Sequence, residues 1–195
     1  GCSNGCTFCY IPYVRGPMRS RPISSIVHEV RRLAAEGVRE FNLIAQDLSC
    51  YGRDLGTNLA SLLRELVKID GVKWIRLFYL YPTYFDDELL DVILHEDKIC
   101  KYVDIPLQHI SNAVLTRMHR RDSSESIYAL LRKLRAASPR MTIRTTLMVG
   151  FPGETEADFQ ELCDFIQEIK FDDMGAFQFS PQDGTPAARY SFTSA

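Results

Sequence analysis

The run TIRTTLMVG, residues 142–150, is followed at once by Phe151-Pro-Gly-Glu-Thr155. The nine residues are continuous enough in β-branched and apolar character to form a buried parallel strand. The turn after them carries Gly150, Pro152 and Gly153, and Thr155-Glu-Ala-Asp158 then opens a helical pattern in the manner of a capping box, reaching Ile169. A further strand-like run, GAFQFS at 175–180, comes next. Strand, turn, helix and strand in this order make one parallel crossover unit.

Working outward, the same alternation covers most of the chain. Strand-like runs recur at 40–46 (EFNLIAQ), 74–80 (WIRLFYL) and 102–108 (YVDIPLQ). Between them, Ile23, Ile26, Val27, Val30 and Leu33 keep helical spacing, beginning beside Pro22 and stopping at Gly37. Leu59, Leu62, Leu63, Leu66 and Val67 repeat it, with Asn58 as the expected N-cap and Gly71 past the end. Helices are also expected at 85–94 and at 126–137, ahead of Pro139. The pattern predicts an α/β chain with a parallel sheet, and it fits an open doubly wound sheet and a barrel equally well. In either, function gathers at the carboxyl ends of the strands. Gln46-Asp47, Gln108-His109, residues 150–154 and Ser180 occupy those ends.

Composition narrows the class. The 195 residues are 46% hydrophobic and 25% charged, which excludes a disordered tail, a coiled coil or a disulfide miniprotein. Lys and Arg number 23 against 25 Asp and Glu, a net charge of -2 that argues against nucleic acid as a partner of this region. No apolar run approaches the roughly 20 residues needed to cross a bilayer. The opening Gly1-Cys-Ser-Asn-Gly-Cys6 has no signal-peptide pattern, so the expected location is cytoplasmic and no membrane partner is expected.

Cysteine usage points to chemistry. Cys2, Cys6 and Cys9 are spaced C-x3-C-x2-C, whereas Cys50, Cys100 and Cys163 are scattered. In a reducing compartment a tight cluster reads as metal-binding. Cys163 falls in an amphipathic pattern and is expected to be a small buried hydrophobe, with Cys50 and Cys100 incidental. Soft thiolates select zinc, copper(I) or iron-sulfur clusters. A structural zinc site wants four protein ligands, and no histidine stands nearby; the closest, His28, lies inside a helical pattern. Three cysteines therefore leave one metal position open. A non-catalytic iron-sulfur or zinc module is the alternative of another class.

The spacing, with Phe8 just before the last cysteine of the trio, resembles the motif of the radical S-adenosylmethionine superfamily. The resemblance implies a 4Fe-4S cluster on Cys2, Cys6 and Cys9 whose open iron chelates S-adenosylmethionine, which an electron then cleaves to a 5'-deoxyadenosyl radical. Cys9-Tyr-Ile-Pro-Tyr-Val-Arg-Gly16, Ser20-Arg-Pro22, Pro106-Leu-Gln-His109 and Val149-Gly-Phe-Pro-Gly-Glu-Thr155 look like the methylthiotransferase family. Within it, Asp47-Leu-Ser-Cys-Tyr-Gly52, Leu80-Tyr-Pro82, Asp104-Ile-Pro-Leu-Gln-His109 and Arg144-Thr-Thr146 look like the branch that modifies an aspartate on the twelfth protein of the small ribosomal subunit. The tRNA-modifying branch, the runner-up, typically reads Gln-Asn and Gln-Ser where Gln46-Asp47 and Gln108-His109 stand here.

The resemblance implies a partial (β/α) TIM-like barrel of five to six parallel strands, open on one side, and a single radical domain over 1–195. The family's first strand, its amino-terminal domain with a second 4Fe-4S cluster and its carboxy-terminal β docking domain are expected only in a longer protein. A small-subunit ribosomal protein is the implied substrate, with an external electron donor. Phe8, Gln46, Gln108, Arg144, Gly150, Gly153 and Phe179 are expected at the cofactor, and Arg15, Asp104 and His109 near the substrate or behind those residues. No protein residue is expected to act as the catalyst itself. His28, His95 and His119 are expected on helix surfaces or in packing, and the tail from Tyr190 carries no interpretable pattern.

Overall fold

Five strands, β1 (Glu40–Leu43), β2 (Trp74–Leu77), β3 (Ile99–Gln108), β4 (Thr142–Val149) and β5 (Asp173–Gln178), pair in parallel and lie side by side in sequence order. The computed structural model describes residues 1–190, so the end of the tail after Tyr190 lies outside the described residues. Sequence order settles what periodicity left open. A doubly wound sheet reverses its strand order at a switch point. Crossovers of one hand that always step the same way instead lie on one face and curl the sheet into a barrel wall. The chain is a partial α/β barrel of five strands, open at β1 and β5.

The helices are α1 (Ile11–Arg15), α2 (Ile23–Ala35), α3 (Leu59–Leu66), α4 (Asp87–His95), α5 (Asn112–Arg117), α6 (Ser124–Ala137) and α7 (Glu156–Ile169). Asn58 caps α3 as expected, accepting the Ser61 N–H at 2.8 Å. Thr155 and Asp158 close the expected capping box on α7. Helix α6 starts earlier than its apolar spacing implied, because Ser123 and Ser126 form a second box. Helices α1 and α5 escape periodicity altogether, being five and six residues long.

The strands are two-faced, which corrects the expectation of burial on both sides. Phe41, Ile75, Leu77, Val103, Ile105, Ile143 and Leu147 point toward the helices and are at most 7% exposed. Each such side chain contributes ~1.5–3 kcal/mol of burial. The alternate residues face the open side, where Asn42, Arg76, Tyr102, Arg144 and Thr146 stay at least partly accessible. Arg76 lies 5.2 Å from the Tyr102 ring centre and bonds Glu40 at 3.2 Å. An inner face of this kind is a lined trough rather than a packed barrel core.

Strands β1 and β2 end at Leu43 and Leu77, before the predicted ends of those runs. Tyr79 takes φ 59, which no ladder accepts, and the chain continues as rim loops tied by Leu48 N–H to the Tyr79 carbonyl at 2.9 Å. Cys163 is half-buried rather than buried, since Leu162, Phe165 and Ile169 form the inward stripe of α7 and Cys163 flanks it. Among the described residues no helix is long and apolar enough to cross a membrane.

Candidate metal centre

At the carboxyl rim of the sheet a hollow of about 380 Å³ is walled on one side by Cys2, Cys6 and Cys9 and on the other by strand ends. Phe8, Gln46, Gln108 and Arg144 line it, as do Tyr79, Tyr81, Arg120, Thr146 and Phe177. Its volume falls in the range of small-molecule sites.

The cysteine loop is irregular, so its shape comes from distant partners. The Asn4 amide donates to Asp47 Oδ2 at 2.7 Å. Asp47, buried in the loop that follows β1, also accepts the Ser49 hydroxyl at 2.6 Å, the Cys50 N–H at 3.2 Å and the Cys50 thiol at 3.1 Å. Burial and the adjacent Asp47 carboxylate push the Cys50 thiol up, so it stays a neutral donor. On the other flank Thr7 donates its N–H to Met118 at 3.0 Å and its hydroxyl to Arg117 at 2.8 Å, while its carbonyl accepts Ala187 N–H at 3.0 Å. His119 Nδ1 donates to the Gly5 carbonyl at 2.9 Å. The histidine expected on a surface or in packing therefore braces the cluster loop.

Arg120 lies in the same wall. Its guanidinium sits 4.0 Å from the Tyr81 ring centre, and Nη2 donates to the Pro106 carbonyl at 2.8 Å. Asp122 Oδ2 stands 3.8 Å away, beyond hydrogen-bond reach, and burial pushes that carboxyl up. Arg120 Nε is buried without a hydrogen-bond partner among the described residues. Such a vacancy costs ~1–3 kcal/mol unless a ligand fills it. Burial raises the Cys6 thiol, and Arg120 beside it pulls it back down. Cys9 is raised by burial as well.

These facts bear on which group the trio fits. Among the described residues no three His, Cys, Asp or Glu side chains close around a single-ion position. A polynuclear cluster places each thiolate on a different metal atom, so three separated cysteines on one cavity wall suit it. The buried cation with a free N–H matches a sulfur-rich anion. The donor set fits an iron-sulfur cluster with one open metal position.

The remaining predicted residues divide. Arg144 bonds Asp104 Oδ1 at 3.0 Å and Asp173 at 2.9 Å, and Asp104, 1% exposed, stands behind it with Oδ2 unpaired among the described residues. Gly150, Gly153 and Phe179 do not line the hollow. Phe179 packs on Phe151 with ring centres 5.1 Å apart, and Phe151 meets Phe8 edge-on at 6.3 Å, so this aromatic cluster backs the wall. Gly150 and Gly153 have φ 72 and 83. A Cβ on Gly153 would lie 1.6 Å from Arg117 Nη1. His109 is fully buried; its Nδ1 accepts the Ser111 N–H at 3.0 Å, and Nε2 faces Glu154 at 3.7 Å without a hydrogen-bond partner among the described residues. Arg15 lies outside this hollow, in a neighbouring one of about 550 Å³ beside β1.

Arg120, Asn4 and Tyr79 escaped sequence reading, and Tyr81 entered it only within the Leu80-Tyr-Pro82 motif. One signal was backbone strain, visible only in three dimensions. Four described residues other than glycine have φ between 53 and 73, and of these Tyr79 and Gln108 line the hollow while His119 braces its loop. Strain of ~1–3 kcal/mol per residue is characteristic of functional sites.

A profile of the Radical SAM superfamily matches residues 1–166. Curated relatives include the ribosomal protein uS12 methylthiotransferase RimO of Geotalea uraniireducens, 52% identical over 190 residues, covering 96% of this chain. The protein of the same name from Pelobacter propionicus is 53% identical over 190 residues, with the same 96% coverage. This chain spans 42% of the length of either relative. Among solved structures, the radical S-adenosylmethionine methyltransferase TsrM of Kitasatospora setae superposes with a TM-score of 0.78 over 96% of this chain and 34% of its own, at 21% identity. Streptococcus suis SuiB gives 0.65 over 97% and 39%, at 14% identity. Both structural likenesses speak to the fold.

Proposed function

The chain belongs to the Radical SAM superfamily, and from that premise we propose that it is the radical-generating core of an enzyme that methylthiolates an aspartate on ribosomal protein uS12. The observation that carries the reading is the wall of the rim hollow: three cysteines, a buried unsatisfied cation and strand-end amides around one cavity. The RimO relatives supply the reaction class and the substrate. We assign cytoplasmic location on the same ground.

In this reading Cys2, Cys6 and Cys9 would hold a 4Fe-4S cluster and leave one metal position open to S-adenosylmethionine. When bound, the pair supplies a one-electron reductive cleavage, fed by an external donor, that yields a hydrogen-abstracting radical. The protein's own residues bind, orient and shield. Gln46 and Gln108 offer amides that donate and accept at the rim, suited to an amino acid moiety. Arg144, clamped by Asp104 and Asp173, presents a fixed charge for a carboxylate or ribose. Phe8, backed by Phe151 and Phe179, gives an apolar surface for a purine. Gly150 and Gly153 shape the rim turn from behind. His109 holds the loop after β3 through Ser111, and Arg15 is a candidate for substrate contact beside β1. The chain acts as one domain, and flanking parts of a longer protein supply a second cluster and substrate docking.

Asp47 stands where the tRNA branch reads Asn. Its two oxygens accept four donors, a load that an amide with one oxygen cannot carry. The signature thus reflects how the cluster loop is held, and the substrate assignment rests on the relatives. Anaerobic reconstitution tests the core: iron and sulfide should reach four per chain, fall in Cys6→Ala and survive in Cys163→Ser. With a strong reductant the protein should release 5'-deoxyadenosine. Mass spectrometry of uS12 and tRNA treated with the full-length enzyme tests the substrate, and modified tRNA with untouched uS12 would sink it.

A further inference from the structure

The Arg120 side chain is buried in the wall that carries the three cysteines, where two contacts fix its orientation and a third group stands nearby. The Tyr81 ring lies beneath it, the Pro106 carbonyl takes Nη2, and Asp122 approaches without bonding. Side-chain exposure is 5% for Arg120 and 2% for Asp122, so both charges are screened much less than exposed ones. Arg120 Nε and Asp122 Oδ2 both lack hydrogen-bond partners among the described residues. A buried guanidinium that keeps an N–H in reserve, while its acidic neighbour remains out of bonding reach, is set up for an anion other than that carboxylate. The sulfur of Cys6 is the candidate, because Arg120 stands beside it in the wall of the same hollow.

We propose that Arg120 donates to the Cys6 thiolate in the cluster-loaded protein and, as a fixed buried cation, raises the reduction potential of the cluster. Reduction adds one negative charge to the cluster, so a nearby cation stabilises the reduced form, and hydrogen bonds to sulfur act in the same direction. Asp122 opposes it. Arg120 acts through Cys6 and is therefore a positioning residue for the radical chemistry. This inference rests on the iron-sulfur reading of the cysteine trio.

The test is an EPR-monitored reductive titration of the anaerobically reconstituted chain, with iron counted in every sample. Arg120→Met should shift the midpoint potential to more negative values, and Arg120→Lys, which keeps charge without the planar fork, should fall between it and the wild type. Asp122→Asn should shift it the opposite way, because the cation is then uncompensated while Thr83 still has an oxygen to bond. A packing defect has no reason to move the two sites in opposite directions. Full iron with unmoved potentials in Arg120→Lys and Asp122→Asn overturns the proposal and leaves the cluster assignment standing. A wild-type chain that takes up no 4Fe-4S cluster overturns both. Should Arg120→Met fail to fold, the other two variants decide.

Discussion

The side-chain amide of Asn4 reaches the carboxylate of Asp47 at 2.7 Å, joining residues 43 apart in sequence. This bond ties the loop between Cys2 and Cys6 to the rim loop that follows β1, so the geometry of the trio depends on a segment it does not belong to. Asp47→Ala should lower stability by about 2–4 kcal/mol, since it strands the Asn4, Ser49 and Cys50 donors. Asn4→Ala should cost about 1–2 kcal/mol, because Cys50 still partners the same oxygen. Urea unfolding measures both, and wild-type midpoints for Asp47→Ala would show that the loop is held elsewhere.

Gly153 faces two penalties on substitution, a φ of 83 and the Arg117 guanidinium where a Cβ would sit. Gly153→Val should destabilise by about 2–4 kcal/mol through backbone strain and the clash. Adding Arg117→Ala should recover part of that loss, because the clash goes while the φ penalty remains. A double variant no more stable than Gly153→Val would rule out Arg117 as the obstacle.

Asp158 gives a pH signature. Burial alone would raise its carboxyl, yet donation from Ser111 and Thr155 outweighs it and holds the group below the usual carboxylate range. The unfolded chain then binds the proton more tightly than the folded one. The contribution to stability is complete above the unfolded carboxylate pKa and disappears as pH falls through the lower folded value. Asp158→Asn should therefore lose stability at pH 7 and show a shallower decline on acidification below about pH 4. Denaturation midpoints measured across pH 2 to 7 check this, and parallel curves for the two proteins would contradict it.

Gln46→Ala should weaken S-adenosylmethionine binding by about 1.5–3 kcal/mol, one hydrogen bond to a charged group. Gln46 is exposed at the rim, so stability should barely change. Calorimetry on the reconstituted protein separates the two quantities, and unchanged affinity would move the amino acid subsite away from β1.

The strands and their crossover helices, the caps at Asn58 and Thr155 and the trio at Cys2, Cys6 and Cys9 were all legible in the sequence. Each is a local pattern: apolar periodicity, a capping side chain beside the donors it satisfies, ligands seven residues apart at most. Gln46 and Gln108 were legible too, because a strand end has a known place in a parallel α/β fold, and Arg144 was legible as a charge within a strand. What only the tertiary structure decided is which way the sheet curls, that its inner face is an open polar trough, and what holds the cysteine loop. The strand order depends on hydrogen bonds between segments tens of residues apart. The Asn4–Asp47, His119–Gly5 and Thr7–Arg117 bonds span 43, 114 and 110 residues. Arg120 reads in sequence as one more basic residue after a short helix. Its role follows from desolvation against Tyr81 and Asp122, and burial of a charge is a property of the surroundings, which no local pattern records.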